Sequence, residues 1–331
     1  YFGLHPDGRL EVIEAHLDRP LLGLPPEIRC MLKQRVECVL HCAADTSFAA
    51  RHSERVERVN LGGARNLLDV VGGGKRIHYM STAYAAGVRN GVCREALEDA
   101  AVFNNAYERS KYHAEREITD ACARLCMPLT IYRPSIVFGE SGTGRSLRFN
   151  ALYFPVRVLL FLRDTLKRDL EERGGRRAAE LGVRPNRNGG ILMPLSLADN
   201  GGAINLVPVD HLVRSVMAIA DADARGIFHI VSHERVTVRR LVNFFQRSYG
   251  VSGIRTFSGE GPRQPTALDS LVEKQVGPYL PYFSDPREFD DSRAAPILEA
   301  AGIGCPEFSE AVFRRCIDYA LEQDWGSAVR V

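Results

Sequence analysis

Tyr107 and Lys111 stand four positions apart, so on a helix they share one face, and an ammonium beside a phenol makes the phenol easier to ionise. The pair is an acid/base device. Ser81 and Thr82 lie about one helix upstream, at the end of the apolar run 76–81. In a parallel sheet the strand C-termini form the ligand crevice, so one of these hydroxyls, the phenol and the lysine can share one mouth. There the phenol can give a proton to a carbonyl oxygen as hydride reaches its carbon, while the hydroxyl donates to the growing negative charge. The lysine lowers the phenol's pKa and can hold a ribose hydroxyl. A Tyr-x-x-x-Lys pair alone also occurs on solvated helix faces, so its meaning depends on the elements around it.

Those elements alternate. Short apolar strands are predicted at 10–16, 37–41, 76–81 and 128–133, with helices at 26–34, 53–71 and 105–124. This order predicts repeated βαβ units and an α/β fold built on a parallel sheet. Asn105 followed by Glu108 reads as a helix N-cap with a reciprocal glutamate, which puts Tyr107 in the first turn and Lys111 one turn later. Gly72-Gly73-Gly74 follows a helix and reads as its stop. Beyond Gly139 the texture changes to an apolar run at 149–162, a charge-dense stretch at 163–177 and a Gly/Pro/Asn-rich stretch at 182–190. Strand and helix return at 203–207, 210–220, 226–231 and 238–249; 259–286 reads as loop, and 292–301 and 308–322 as closing helices.

Forty-three basic residues against forty-one acidic ones give a net charge of +2 with no long run of one sign, so a nucleic-acid partner is not expected. Eight cysteines without a Cys-x-x-Cys pair predict reduced thiols in a cytoplasmic protein and no metal site. No apolar run is long enough to span a bilayer. His78, His211 and His229 read as structural, and Cys42 and Cys93 lack a histidine partner for thiol catalysis. The run 149–162 reads as core packing, as an acyl-chain wall or as a peripheral membrane contact; 163–177 reads as a solvated helix face or as a basic edge meeting phosphates.

Five motifs stand in order: His41-Cys42-Ala43-Ala44, the stretch 60–68 opening Asn60-Leu61-Gly62-Gly63, Tyr79-Met80-Ser81-Thr82-Ala83-Tyr84, the Tyr107/Lys111 pair, and Tyr132-Arg133-Pro134-Ser135-Ile136-Val137-Phe138-Gly139. Through them the chain resembles the extended short-chain dehydrogenase/reductase superfamily over nearly its whole length. The resemblance implies a Rossmann-like doubly wound parallel sheet with a smaller, interleaved substrate region. Its expected parts are a dinucleotide-binding domain at 1–140, a substrate-side insertion at 141–202, a return to the sheet at 203–235 and a C-terminal substrate-binding region at 236–331. It implies Thr82, Tyr107 and Lys111 as the catalytic set, because Gly87 falls on the family's Tyr-Gly turn and makes Thr82 the match; Ser81 is the alternative, and a strand-end hydroxyl capping backbone is the plain reading of either.

NADP or NAD is the implied cofactor, with NADPH favoured. Ala43 and Ala44 would line it by main chain, Asn60 would brace their strand, Pro134, Ser135 and Ile136 would flank the nicotinamide, and Ser81, Tyr107 and Lys111 would touch it. His16 occupies the place of an aspartate used near adenine, leaving Asp18 as its substitute. The family's Gly-rich pyrophosphate turn is not found among these residues, so an upstream segment is expected and weak affinity of this polypeptide for NADP(H) with it.

Within the superfamily the chain is most similar to the thioester and fatty acyl-CoA reductase group, including male-sterility-type domains, through residues 18–24, 41–44 and 133–144. That likeness implies reduction of an acyl-CoA or carrier-bound acyl thioester. Hydride attacks the thioester carbonyl, the hemithioacetal collapses to an aldehyde, and a second hydride can give the alcohol. A nucleotide-sugar epimerase, dehydratase or other hydroxyl dehydrogenase, and a non-catalytic cofactor-binding protein, are the alternatives.

Overall fold

A computed structural model describes residues 10–199, 201–259, 264–283 and 285–326; the parts of the predicted regions at 1–9, 200, 260–263, 284 and 327–331 lie outside the described residues. The chain forms two compact units, Tyr1–Met80 with Asn105–Ile131, and Ser81–Asn104 with Tyr132–Val331.

In the first unit the strand Cys38–His41 lies parallel to the strand Arg76–Met80, with Cys38 opposite Arg76 and His41 opposite Tyr79. The opening of a third strand, Leu129–Pro134, follows on the far side, where Ile77 N–H donates to the Pro128 carbonyl at 2.8 Å. The connection between the first two strands is the expected long helix in three joined pieces, Ser53–Glu57, the π-helical Arg58–Gly62 and Gly63–Val71. It stops at Gly72, whose φ of +69° suits a residue without a Cβ. The helix Ala106–Arg124 begins as predicted, because the Asn105 side chain accepts from Glu108 N–H at 3.0 Å.

The predicted strand at 10–16 is not there. Among the described residues no strand pairs with it; His16 bonds within a local turn instead, its N–H donating to the Leu22 carbonyl at 2.9 Å and its carbonyl accepting from Arg19 N–H at 3.1 Å, and Leu10 and Val12 are 66% and 86% exposed. The apolar residues are there, but a strand needs a neighbour to take its N–H and C=O groups. Instead Ile13 and Leu17 pack on a small core of Leu22, Leu24 and Val70, and the Asn66 side chain donates to the Leu17 carbonyl at 2.8 Å.

The second unit takes up the closing half of Leu129–Pro134, with the strand Gly226–Ile230 beside it. Two short parallel pairs accompany it, Ile136–Phe138 with Leu206–Pro208 and Gly91–Cys93 with Arg287–Phe289. Its core is large and gathers Phe138, Leu160, Met193, Phe245, Phe308 and Phe313. The run 149–162 enters the helix Tyr153–Glu172, in which Pro155 falls in the tolerant first turn. Val156, Leu159, Leu160 and Leu162 face that core, which favours packing over the other readings of this run. Among the described residues no helix is long and apolar enough to cross a membrane.

The predicted loop 259–286 is also corrected, since its described part holds the helices Ala267–Val276 and Leu280–Phe283. The first has a reciprocal capping box: Asp269 N–H donates to Thr266 Oγ1 at 3.1 Å, and Thr266 N–H to Asp269 Oδ2 at 2.8 Å. Leu268, Val272 and Val276 recur at helical spacing and are buried. Flanking glycines and prolines masked that period.

Candidate active site

On the first unit, the capped helix presents Tyr107 in its first turn, half-buried, with its ring 6.0 Å from that of Phe48. Lys111 follows one turn later and is 2% exposed. Its ammonium donates to the Met80 carbonyl at 2.7 Å and to the Tyr79 hydroxyl at 3.3 Å, and lies 4.7 Å from the centre of the Tyr79 ring. Lysine is therefore fixed on the C-terminal end of the strand that leads, two residues on, to Thr82. Burial pushes its pKa down to about 8, against the pull of Glu115 and Cys42 in the other direction. His41 stacks on Tyr79 at 5.6 Å, and burial, with the Lys111 charge second, takes its pKa down to about 4, so the ring is neutral at pH 7. Burial, then Glu115 and Tyr107, raise the Tyr79 phenol well above its ordinary range. Tyr79 is thus a neutral platform for a buried cation, a role that spacing along the helix does not reveal.

Asn60 lies in the π-helical stretch and is 1% exposed. Its Nδ2 donates to the Asp45 carbonyl and to Ser110 Oγ, both at 2.9 Å, while its Oδ1 accepts from Asp45 N–H at 2.8 Å. Ser110 Oγ in turn donates to the Tyr107 carbonyl at 2.8 Å. One amide therefore ties the loop after the first strand, with Ala43 exposed and Ala44 half-buried, to the helix that carries Tyr107. Asp18 takes no part in this network; its carboxylate faces Arg58 at 3.7 Å on the surface.

On the second unit, Thr82 Oγ1 accepts from Tyr84 N–H and donates to the Pro134 carbonyl, both at 3.4 Å, and so caps the one-turn helix Ala83–Ala86. Ser81 and Ser135 are 2% and 6% exposed, and among the described residues their hydroxyls have no partner. Buried hydroxyls normally find one. The main chain at 135–136 is tied down, Ser135 N–H to the Ile230 carbonyl and Ile136 N–H to the Asn205 carbonyl at 3.2 Å each, which leaves the Ser135 side chain as the unsatisfied group. Ala43, Ala44, Asn60, Tyr107 and Lys111 thus belong to the first unit, and Ser81, Thr82, Pro134, Ser135 and Ile136 to the second.

A family model described as Male sterility protein, an NAD-binding model, matches residues 5–216. Non-canonical nonribosomal peptide synthetase cpsA of Aspergillus campestris is 30% identical over 148 residues, covering 41% of this chain and 14% of that protein. A linear gramicidin synthase protein of Brevibacillus parabrevis is 22% identical over 328 residues, covering 94% of this chain and 6% of that protein. The chain thus matches only a small part of the length of these relatives. Among solved structures, the terminal R domain from the myxalamid PKS-NRPS biosynthetic pathway superposes with a TM-score of 0.67 at 18% identity, covering 96% of this chain and 76% of that one. A thiolation-reductase di-domain from an archaeal non-ribosomal peptide synthetase gives 0.62 at 16%, covering 90% and 60%. UDP-glucuronic acid 4-epimerase from Bacillus cereus, in complex with NAD, gives 0.59 at 14%, covering 92% and 79%. At these identities the likeness is one of fold, the Rossmann-like α/β architecture.

Proposed function

Since this chain belongs to the male sterility protein family, we propose that it is an NAD(P)H-dependent reductase of acyl thioesters, with the acyl group carried on a phosphopantetheine arm. The observation that carries the reading is Lys111, a buried ammonium fixed on the Met80 carbonyl one helical turn from Tyr107, within the residues that the family model matches. The relative that is a nonribosomal peptide synthetase, and the neighbour that joins a thiolation domain to a reductase domain, support a carrier-bound thioester over a free one.

Bound NAD(P)H supplies the hydride. Ser81 and Ser135 fit such a ligand, because each holds a buried hydroxyl without a partner among the described residues; with Pro134 and Ile136 they would hold the nicotinamide end. Ala43 and Ala44 would approach it by main chain on the loop that Asn60 braces. Lys111, with a donor to spare beyond Met80 and Tyr79, would take a ribose hydroxyl and keep the Tyr107 phenol acidic. Asp18 would lie toward adenine only by releasing Arg58.

In this reading Tyr107 gives its proton to the thioester oxygen and Thr82 donates a second hydrogen bond there. The Thr82 bond to Pro134 is long at 3.4 Å and readily exchanged for one to substrate. The carbonyl carbon gains the hydride and its oxygen the phenolic proton; the carbon–sulfur bond then breaks, releasing the thiol and an aldehyde. The segments 141–202 and 236–331 would supply the walls for the acyl chain and its arm.

The test follows oxidation of the reduced nicotinamide with acyl-pantetheine, acyl-CoA and acyl-carrier thioesters over a range of chain lengths. Turnover is expected with the carrier-bound form, and Tyr107→Phe is expected to lower it by about a hundredfold or more with unchanged circular dichroism. Absence of thioester-dependent oxidation, together with thermal stabilisation by nucleotide sugars, would establish the epimerase or dehydratase alternative instead.

A further inference from the structure

Thr82 works from a turn that is held in place from the far end of the chain. We propose that Arg287, fixed by Asp285, is a positioning residue that sets the turn following Thr82; its catalytic consequence rests on the reading above that Thr82 donates to the substrate oxygen. Arg287 lies well beyond residue 216, where the family match ends.

The turn is short and completely enclosed. Ala83, Tyr84, Ala85 and Ala86 are all buried, and the backbone closes through Ala85 N–H to the Thr82 carbonyl and Gly87 N–H to the Tyr84 carbonyl, both 3.1 Å. Gly87 leaves the turn at φ +71°, and a Cβ there would stand 2.6 Å from the Ala100 Cβ, so the exit path has no slack. The guanidinium of Arg287 meets this turn twice. Its Nη1 donates to the Gly87 carbonyl at 2.8 Å, and its Cζ lies 4.7 Å from the centre of the Tyr84 ring. Tyr84 is also held edge-on by Tyr282 at 5.0 Å and Phe289 at 5.5 Å.

Asp285 decides where the guanidinium can point. Its two oxygens accept from Arg287 Nε and Nη2 at 2.8 Å each, a fork that fixes the plane of the group and directs Nη1 at Gly87. Both side chains are almost wholly buried, at 2% and 4% exposure. The path to chemistry is then short: Arg287 holds Tyr84 and Gly87, Tyr84 N–H donates to Thr82 Oγ1, and that oxygen is the proposed donor to substrate. Lysine could keep the charge beside Asp285, but one ammonium cannot fork the carboxylate, reach Gly87 and lie flat on Tyr84.

The experiment compares Arg287→Lys with the pair Arg287→Met and Asp285→Leu, which removes both charges together and so leaves none stranded. Each is measured alone and on a Thr82→Val background. The expected result is a fall in kcat of about tenfold or more at unchanged KM for the thioester, and no further fall when Thr82 is already valine. An equal fall on both backgrounds would overturn the proposal, because the guanidinium would then act otherwise than through Thr82. Amide exchange gives the second readout, which requires no substrate. Ala85 and Gly87 are expected to exchange at least tenfold faster in both variants while the Gly226–Ile230 strand keeps its wild-type rates. Unchanged protection at Ala85 and Gly87 overturns the positioning role. Wild-type protein without thioester turnover would sink the functional reading alone, and exchange would still decide the role of Arg287.

Discussion

Lys111 offers a sharp stability test, because its surroundings hold a cation that they also penalise. Burial takes its pKa from 10.5 to about 8. A base with a depressed folded pKa loses its proton first in the folded state, so between those values the unfolded chain binds more protons and stability rises with pH. At about 1.36 kcal/mol per unit, the charged form costs the folded state about 3 kcal/mol at neutral pH, and all but about 1.4 kcal/mol of this has gone by about pH 9.5. Lys111→Met removes the titration. Wild type is therefore expected to gain about 2 kcal/mol on the variant between about pH 7 and about pH 9.5. Burial raises the Tyr79 phenol and the Cys42 thiol in both proteins, but the Lys111 charge pulls Cys42 back down only in wild type, so both proteins are compared on a Cys42→Ser background. Urea unfolding of both proteins across that range gives the curve directly. A stability difference that stays constant with pH would refute the buried-ammonium account, and a difference that closes in the opposite direction would mean that Glu115 outweighs burial.

Asn60→Ala removes three hydrogen bonds and strands the Asp45 N–H and carbonyl, so a loss of about 2–4 kcal/mol is expected in urea unfolding; less than about 1 kcal/mol would mean that water replaces the amide. Gly87→Ala combines a positive φ with a contact 2.6 Å from Ala100 and should destabilise by about 2–4 kcal/mol. Gly62→Ala, whose added Cβ meets nothing within 4 Å, is its control and should be neutral or stabilising on the same denaturation curve.

The features legible in the sequence were those set within a few residues. Asn105 and Glu108 predict the start of the helix that carries Tyr107, Gly72 the end of its predecessor, and the strands at 38–41 and 76–80 follow from their apolar runs, because cap, stop and apolar run are local events. Residues 10–16 carry a comparable apolar run, yet form no strand, since whether a neighbour exists to pair with them is decided elsewhere in the chain. The helix at 267–276 was legible in principle, through Thr266, Asp269 and the Leu268–Val272–Val276 spacing, and was hidden only by the glycines and prolines on either side.

The site divides the same way. Tyr107 and Lys111 can be matched by counting along one helix, whereas the groups that fix Lys111, Tyr79 and the Met80 carbonyl, lie on a strand more than thirty residues back, and Arg287 reaches Gly87 across 200 positions. Contacts of that span carry no periodic signal. They also set this pair apart from a common helical one: a solvated lysine would keep its ordinary pKa and its freedom, while Lys111 is dehydrated and bonded to the end of the central strand. What distinguishes Lys111 therefore resides less in the Tyr-x-x-x-Lys spacing than in the strand end that fixes the ammonium.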